Sequence, residues 1–390
     1  MNPRERFIKA LSREKPDRVP MFVFGINGSV LEKLLGRPVM QRNPKAYLEM
    51  CSKGEVEKAN LLTVEDHIEL VERFDLDAVR EVNQVGGWLI DPRWEYFPKD
   101  CKVVKKGENL WEIDGVPVQY MPEVNSLYVL KPFLPTDPDN AKEFLKSIWN
   151  DVTVPDQEIV VLEKIASRLK GKRFILSVIQ GTFLPFFSPS THMMVWLHRN
   201  PDVLKMWLDY YLRVNIERAK AKIDAGAEGI IENDDYATTM GPMISPKYFR
   251  DLIIPNLKRL CDVVHKKGAF FIKHTDGNIS LILEDIINTG IDGIHPIEKK
   301  AGMDIGQVKK VYGKRVCVIG NIEGSLGGER GKEHIVNETL ELLKSTAPDG
   351  GYIMTTSNVI TSDAKVENFL AWVDTVKKFG RYEDQKFRKT

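Results

Sequence analysis

Through the second half of the chain, short apolar runs alternate with longer amphipathic stretches in a repeating order. The runs at 174–180, 229–234, 269–274, 293–296, 316–320 and 351–356 have the length of buried strands. Between most of them, 203–224, 246–267, 279–289, 333–347 and 366–379 place apolar residues at helical spacing. Two earlier apolar runs, 19–24 and 76–80, bring the count to about eight strand-then-helix units, the number that closes a parallel α/β barrel. An open doubly wound sheet is the alternative, but it expects a Gly-x-Gly-x-x-Gly turn after its first strand, and this chain has none. The pattern predicts an α/β fold, a single (β/α)8 TIM barrel spanning residues 1–390.

Ahead of the first strand, Asn2 and Pro3 form a helix start for the amphipathic turn at 4–11. Further helices are expected at 46–58, with Gly54 as a weak point, and at 66–74, 139–149 and 155–169. Residues 86–130 break the alternation. Aromatic side chains crowd there (Trp88, Trp94, Tyr96, Phe97, Trp111, Tyr120, Tyr128), polar and apolar positions alternate, and turn signals fall at 106–109 and at Asp114-Gly115. This predicts a β-rich insertion after the second strand, able to act as a lid over a reacting centre or to form a small core of its own.

With 43% hydrophobic and 28% charged residues, the 390-residue chain reads as globular. Its net charge of +1 gives no electrostatic case for nucleic acid or an anionic membrane. Four scattered cysteines make neither a Cys-x-x-Cys nor a His-x-Cys pair, so neither a disulfide framework nor a thiolate zinc cluster is expected. No leader pattern opens the chain and no apolar run reaches the length of about 18 residues expected of a membrane span. A cytoplasmic protein is expected.

The candidate chemistry gathers at the strand ends. Barrel enzymes place their working groups at the C-terminal mouth, and here nearly every strand of the second half is followed by polar residues. Gln180 and Phe183 follow the third strand; Glu232, Asp234, Asp235 and Tyr236 the fourth; His274 and Asp276 the fifth; His295 and Glu298 the sixth; Asn321 and Glu323 the seventh; Ser357 and Asn358 the eighth. Asn27, in the loop after the first strand, is a further candidate contact, with ordinary turn chemistry as its other reading. Side chains two apart on a strand share a face, so His274 and Asp276 point the same way if the strand runs that far. Crowded carboxylates at 232–235 raise one another's pKa values or recruit a cation. A histidine with carboxylates can hold a divalent cation such as zinc or serve as acid and base without one. His274, Asp276, Glu232 and Asp235 are the expected catalytic groups, and His274, Asp276 and Glu232 the expected ligands of a cation. Asn27, Gln180, Phe183, Tyr236, Glu298, Asn321 and Asn358 are the expected substrate contacts.

Several segments together resemble the uroporphyrinogen decarboxylase superfamily, which includes the corrinoid-dependent methyltransferases. They are NPRERFIKALSREKPDRVP, GPMISPKYFRDLIIPNLKRL, HTDGNI, HPIE, IGNIEGS and GGYIMTTSN followed by ENFLAWVD, spread along the chain except around 86–130. The resemblance implies the same single barrel. Porphyrin-pathway decarboxylases carry an RQAGRY-type arginine segment soon after the first strand, where this chain reads FGINGSVLEKLLG. The thiol-methylating branch binds zinc through a His-x-Cys pair and a later cysteine. Here Asp276 stands at the first cysteine position, and Ser357 or Asn358 at the second.

What remains is similar to the methyl-donor-side enzymes of O-demethylase systems. That resemblance implies transfer of a methyl group from a small donor, a methoxylated aromatic compound, to the cobalt of a separate corrinoid protein, with Tyr236, Phe183 and Trp88 flanking the ring. No Asp-x-His-x-x-Gly corrinoid signature occurs in the chain, so the cofactor is expected on the partner; a homodimer is implied by the resemblance alone. The alternatives are a decarboxylase-like lyase acting on a small carboxylated substrate, and a scaffold that only binds the corrinoid protein. Few Lys or Arg residues at the strand ends weigh against the lyase.

Overall fold

The computed structural model describes residues 1–81, 96–123, 125–131, 134–183 and 190–382. Its centre is a curled, all-parallel sheet of seven strands: β1 (Ala78–Glu81), β6 (Phe174–Gln180), β7 (Gly229–Asn233), β10 (Phe270–His274), β11 (Gly293–His295), β12 (Cys317–Ile319) and β13 (Tyr352–Ile353), paired in that order. Four strands between β1 and β6 make a separate antiparallel sheet in sequence order: β2 (Val103–Lys105), β3 (Leu110–Ile113), β4 (Val116–Met121) and β5 (Ser126–Val129). Buried Trp111, Ile113 and Val118 pack this sheet onto Tyr47, Leu48 and Val56. Trp88 and Trp94, and with them the start of the expected insertion, lie outside the described residues. A two-stranded hairpin, β8 (Ala237–Thr238) and β9 (Gly241–Pro242), follows β7.

Successive strand side chains alternate between faces, and the two faces bury different sets. Ala78, Phe174, Leu176, Val178, Ile231, Ile272, Cys317, Ile319 and Ile353 share one cluster with Phe22, Phe24 and, from the first helix Pro3–Leu11, Phe7. These fill the concave side. Val79, Ile175, Ile230, Phe271, Ile294, Val318 and Tyr352 face the surrounding helices on the other side. Gly229 is needed for the inner packing: a Cβ there would lie 2.9 Å from the ring of Phe174.

The expected first strand at 19–24 is not a regular ladder strand. Pro20 has no N–H to give, and the Met21 N–H goes to the Asp77 carboxylate at 2.8 Å. The segment still touches both edges of the sheet. Met354 donates to the Pro20 carbonyl (2.9 Å), Phe22 donates to the Met354 carbonyl (3.2 Å), and Asp77 donates to the Met21 carbonyl (2.9 Å). Buried Asp77 also binds the guanidinium groups of Arg6 and Arg18, which fixes this segment beside β1.

The expected helix at 46–58 divides into Pro44–Cys51 and Val56–Arg73, separated at Gly54. A helix at Gly28–Leu35, to which the sequence pattern assigns no element, follows the exit of the first strand. The expected helix 246–267 contains a π-helical stretch, Phe249–Ile253, just before Pro255, whose missing N–H cannot continue the regular ladder. Among the described residues no helix is long and apolar enough to cross a membrane.

Candidate active site at the strand C-termini

Strand β10 ends on His274, which is paired in register with His295 at the end of β11. The two imidazoles meet through their Nδ1 atoms at 2.7 Å, and His295 Nε2 lies 2.9 Å from the Thr356 carbonyl oxygen. A carbonyl only accepts, so His295 carries its proton on Nε2 and presents a bare Nδ1 to the Nδ1–H of His274. Burial drives both rings toward the neutral form, His295 down to about 3 and His274 well below its usual value. The chain of two bonds therefore leaves the lone pair on His274 Nε2. Phe24 stacks on both rings, with centroids at 4.6 and 4.3 Å, and the Arg80 guanidinium covers Phe24 at 3.9 Å.

That lone pair faces two carboxylates, with Asp235 Oδ1 at 3.7 Å and Asp276 Oδ1 at 3.9 Å. With His274 neutral, neither contact is an ion pair. Asp276 is placed by the turn after β10: its N–H donates to Asp235 Oδ1 at 2.8 Å, and Asn358 donates to its Oδ2. Gly277, at φ +88°, makes this turn, and a Cβ on it would lie 2.4 Å from the Ala237 carbonyl oxygen. Asp276 Oδ1 is buried without a hydrogen-bond partner. Burial, then the charges of Asp235 and Glu298, push the Asp276 carboxyl up to about 8.

Three ligand atoms, one each from Asp235, His274 and Asp276, thus lie within 4.8 Å of one another. A buried carboxylate oxygen with no donor, beside a second carboxylate and an imidazole lone pair, lacks one positive charge. A divalent cation would satisfy all three.

Glu232 does not join this group. It lies on the helix-facing side of β7, opposite in parity to inward-facing Ile231, and forms a fully buried ion pair with Lys273. Lys273 Nζ also donates to the Asp234 carbonyl (2.7 Å) and sits 3.7 Å from the centroid of the Tyr236 ring. The expectation that Glu232 ligates a cation is corrected by this pairing. Tyr236 and Phe183 likewise pack on each other (5.9 Å) and on Phe249 in the buried core, and do not form open walls for a ring. Asn27 caps the helix Gly28–Leu35, its Oδ1 accepting from Ser29 N at 3.0 Å.

The remaining expected contacts do reach the mouth. Gln180, at the end of β6, has the inward parity of Val178. Glu298 accepts from Gly277 N at 2.7 Å, and Asn321 donates to the Ile297 carbonyl. Glu298, Asn321, Asn358 and Val359 line a cavity of about 570 Å³, within the range that holds small ligands. His295 stood among the strand-end polar residues with no role assigned, and Arg80 was not singled out as a site residue. The usable signal for His295 was its position at a strand end, matching that of His274.

Residues 189–379, which contain Asp235, His274, Asp276, His295 and Asn358, match the family Uroporphyrinogen decarboxylase (URO-D). Over 388 residues it is 24% identical to the uroporphyrinogen decarboxylase of Coxiella burnetii (strain RSA 493 / Nine Mile phase I), covering 96% of this chain and 95% of that enzyme. A shorter stretch of 129 residues is 30% identical to the methylcobamide:CoM methyltransferase MtaA of Methanosarcina barkeri, covering 33% of this chain and 36% of that one. The solved structure of a methyltransferase from Methanosarcina mazei shares the fold, with a TM-score of 0.70 at 21% identity over 97% of this chain and 99% of that one. The one-histidine, two-carboxylate cluster contains no sulfur ligand, since the four cysteines are all buried elsewhere.

Proposed function

We propose that the protein is a methyltransferase that moves a methyl group from a small methoxylated aromatic compound to the cobalt of a separate corrinoid protein. The segment at 19–24 then serves as the eighth strand of a (β/α)8 barrel, and the antiparallel sheet β2 to β5 as a wall beside its mouth. The observation that carries the reading is the convergence of His274 Nε2, Asp235 and Asp276 at that mouth.

In the reaction, the electron pair of a cobalt(I) nucleophile forms the new cobalt–carbon bond. The methyl–oxygen bond breaks with its pair staying on oxygen, cobalt rises formally from I to III, and the aryloxide takes up a proton. An aryloxide is a poor leaving group unless its charge is offset as it forms. A divalent cation held by Asp235, His274 and Asp276 would supply that offset as a Lewis acid. His295 and Thr356 keep the His274 lone pair aimed outward, and Asn358 holds the Asp276 carboxylate in place. Oxygen and nitrogen ligands without thiolate suit an oxygen leaving group better than activation of a thiol.

Purified protein, a panel of methoxylated aromatics and a cob(I)alamin-loaded carrier protein, followed anaerobically by cobalt absorbance, test the reading. Methylcobalamin and a demethylated phenol are expected in equal amounts. Carbon dioxide released from a carboxylated substrate with no methyl acceptor present would sustain the lyase instead.

Two further results are expected. Because a cation must displace the proton on Asp276, whose carboxyl is pushed up to about 8, apparent zinc affinity should rise about tenfold per pH unit below that value and level off above it. Calorimetric titration from about pH 6 to pH 9 reads this, and a flat affinity would remove Asp276 from the ligand set. His295→Phe keeps a ring against Phe24 but removes the acceptor for His274 Nδ1–H. Zinc affinity should fall about 10- to 100-fold, as for other groups that orient a ligating histidine; an unchanged affinity would show that the His–His bond orients nothing.

A further inference from the structure

The antiparallel sheet β2 to β5 has two edges of different character. β2 lies beside the helix Pro44–Cys51, where Lys105 reaches Glu49 at 3.2 Å, and Lys102 and Lys106 flank it on either side. Lysines and a neighbouring helix are what keep an edge strand from pairing with another chain. β5, at the other edge, carries no such guard. Its stretch 126–130 holds no charge, and Tyr128 and Leu130 are 59% and 47% exposed.

The ladder decides which residues of β5 bond outward, because opposed residues in an antiparallel pair alternate between bonded and non-bonded pairs. Leu130 N donates to the Pro117 carbonyl at 2.9 Å, so Tyr128 with Gln119 and Ser126 with Met121 are the bonded pairs of β4 and β5. On the other side of β4, Tyr120 N donates to the Asn109 carbonyl at 2.8 Å, in step with the same alternation. Leu127 and Val129 therefore direct their N–H and carbonyl groups away from the sheet, while their side chains pack into its buried face. Asn125 ends the ladder on one side, at φ +48°, with its Nδ2 donating to the Arg42 carbonyl and its Oδ1 accepting from the Tyr120 hydroxyl, both at 3.1 Å. On the other side the strand ends at Val129. Leu127 and Val129 thus form a short, anchored free edge.

We infer that this edge is a dimer interface, and that its occupant is the β5 of a second copy of the chain, running antiparallel about a two-fold axis at Tyr128. With only Leu127 and Val129 bonding outward, one register satisfies both residues: each Leu127 pairs with the partner's Val129. Tyr128 then meets its own counterpart across the axis as a non-bonded pair, where side chains stand closest. Leu130 lies over the small Ser126 of the partner subunit, beside Met121, which is itself 39% exposed. Exposed Lys131 follows the strand and exposed Glu123 precedes it, so the antiparallel pairing brings opposite charges to each end. The two sheets become one continuous sheet. The interface stands on the edge geometry alone and is independent of the methyl-transfer reading.

Sedimentation velocity tests this on wild type, Tyr128→Lys, Tyr128→Glu and an equimolar mixture of the two variants, with melting temperatures confirming that each is folded. Wild type is expected to pass from monomer to dimer between about 1 and 200 µM, as befits a contact at the small end of specific interfaces. Each variant alone sets like charges opposite each other across the axis and should dimerise about tenfold more weakly or worse. Mixing the two should restore the dimer, because residue 128 faces only residue 128. Amide hydrogen exchange at both ends of the concentration range reads the same register: Leu127 and Val129 should gain protection in the dimer, and Tyr128, already bonded to Gln119, should not. A chain that stays monomeric throughout, its edge bare or taken by a strand of another protein, would overturn the proposal. Variants that dimerise like wild type would do the same by placing the contact on another face, as would a mixture no more dimeric than its components.

Discussion

His274→Ala is expected to lower methyl transfer by about a thousandfold, corresponding to about 4 kcal/mol of charge stabilisation at the departing oxygen. The substitution removes the only nitrogen ligand in the three-residue cluster and also strips the donor from His295 Nδ1. Bound cation should fall with activity, which separates this account from one in which His274 donates a proton to the departing oxygen. The neutral state of His274 points the same way: burial, then the neighbouring His295, Arg80 and Lys273, hold it well below its usual pKa. A ring kept neutral is suited to lend a lone pair and poorly suited to donate a proton. The kinetic readout is the rate of methylcobalamin formation at saturating donor, with residual metal measured on the same samples. Loss of activity with cation content intact would assign His274 to proton transfer.

Lys273→Met is expected to cost about 3 to 5 kcal/mol of stability, because it leaves the Glu232 carboxylate buried with no counter-charge. Both side chains are fully buried, so solvent screening offers no relief. Burial, partly offset by Lys273, already raises the Glu232 pKa. With the lysine gone the pKa rises further, and the folded state then binds a proton that the unfolded state releases. The deficit should therefore shrink as pH falls from neutral toward the unfolded carboxyl value and be largest at high pH. Lys273→Met/Glu232→Leu should regain most of the loss, since a buried pair replaced on both sides is often neutral. Urea unfolding at two pH values, with an unchanged slope, checks all three statements. A single variant as stable as wild type would mean that the pair contributes nothing, and would reopen Glu232 as a group for the site.

The contrast between Glu232 and Asp235 shows where reading the chain reaches its limit. Both stand in one acidic run, and local spacing alone does not separate them. Strand parity puts Glu232 on the side opposite Ile231, but which side faces the barrel interior depends on packing. Its partner Lys273 is 41 positions away in the chain, matched to it only by the register of β7 against β10. His274 and Asp276 were legible because both lie in one short stretch. Even there the strand stops at His274, and the turn at Gly277, not a shared strand face, brings Asp276 back beside it.

The alternation of strands and helices behind the curled parallel sheet was legible for a similar reason: each strand and helix repeats a local period. Where that period is broken by a non-local demand, the sequence misleads. The 19–24 run makes one isolated parallel bridge, Met21 to Met354, and no continuous ladder, because Pro20 has no N–H and Met21 spends its own on Asp77. The helix Gly28–Leu35 was not anticipated, although Asn27 caps it and Val30, Leu31, Leu34 and Leu35 form a buried face. Its shortness, and the glycines at its ends, hid the period.

The central claim is that Asp235, His274 and Asp276 together hold one divalent cation at the mouth of the sheet. Zinc titration of chelator-treated protein, in parallel with Asp235→Ala, His274→Ala, Asp276→Ala and Glu232→Gln, tests it most directly. The account predicts one site per chain in wild type and in Glu232→Gln, lost or weakened by orders of magnitude in the other three. A site that survives all three substitutions, or that disappears with Glu232→Gln alone while the protein remains folded, would contradict it.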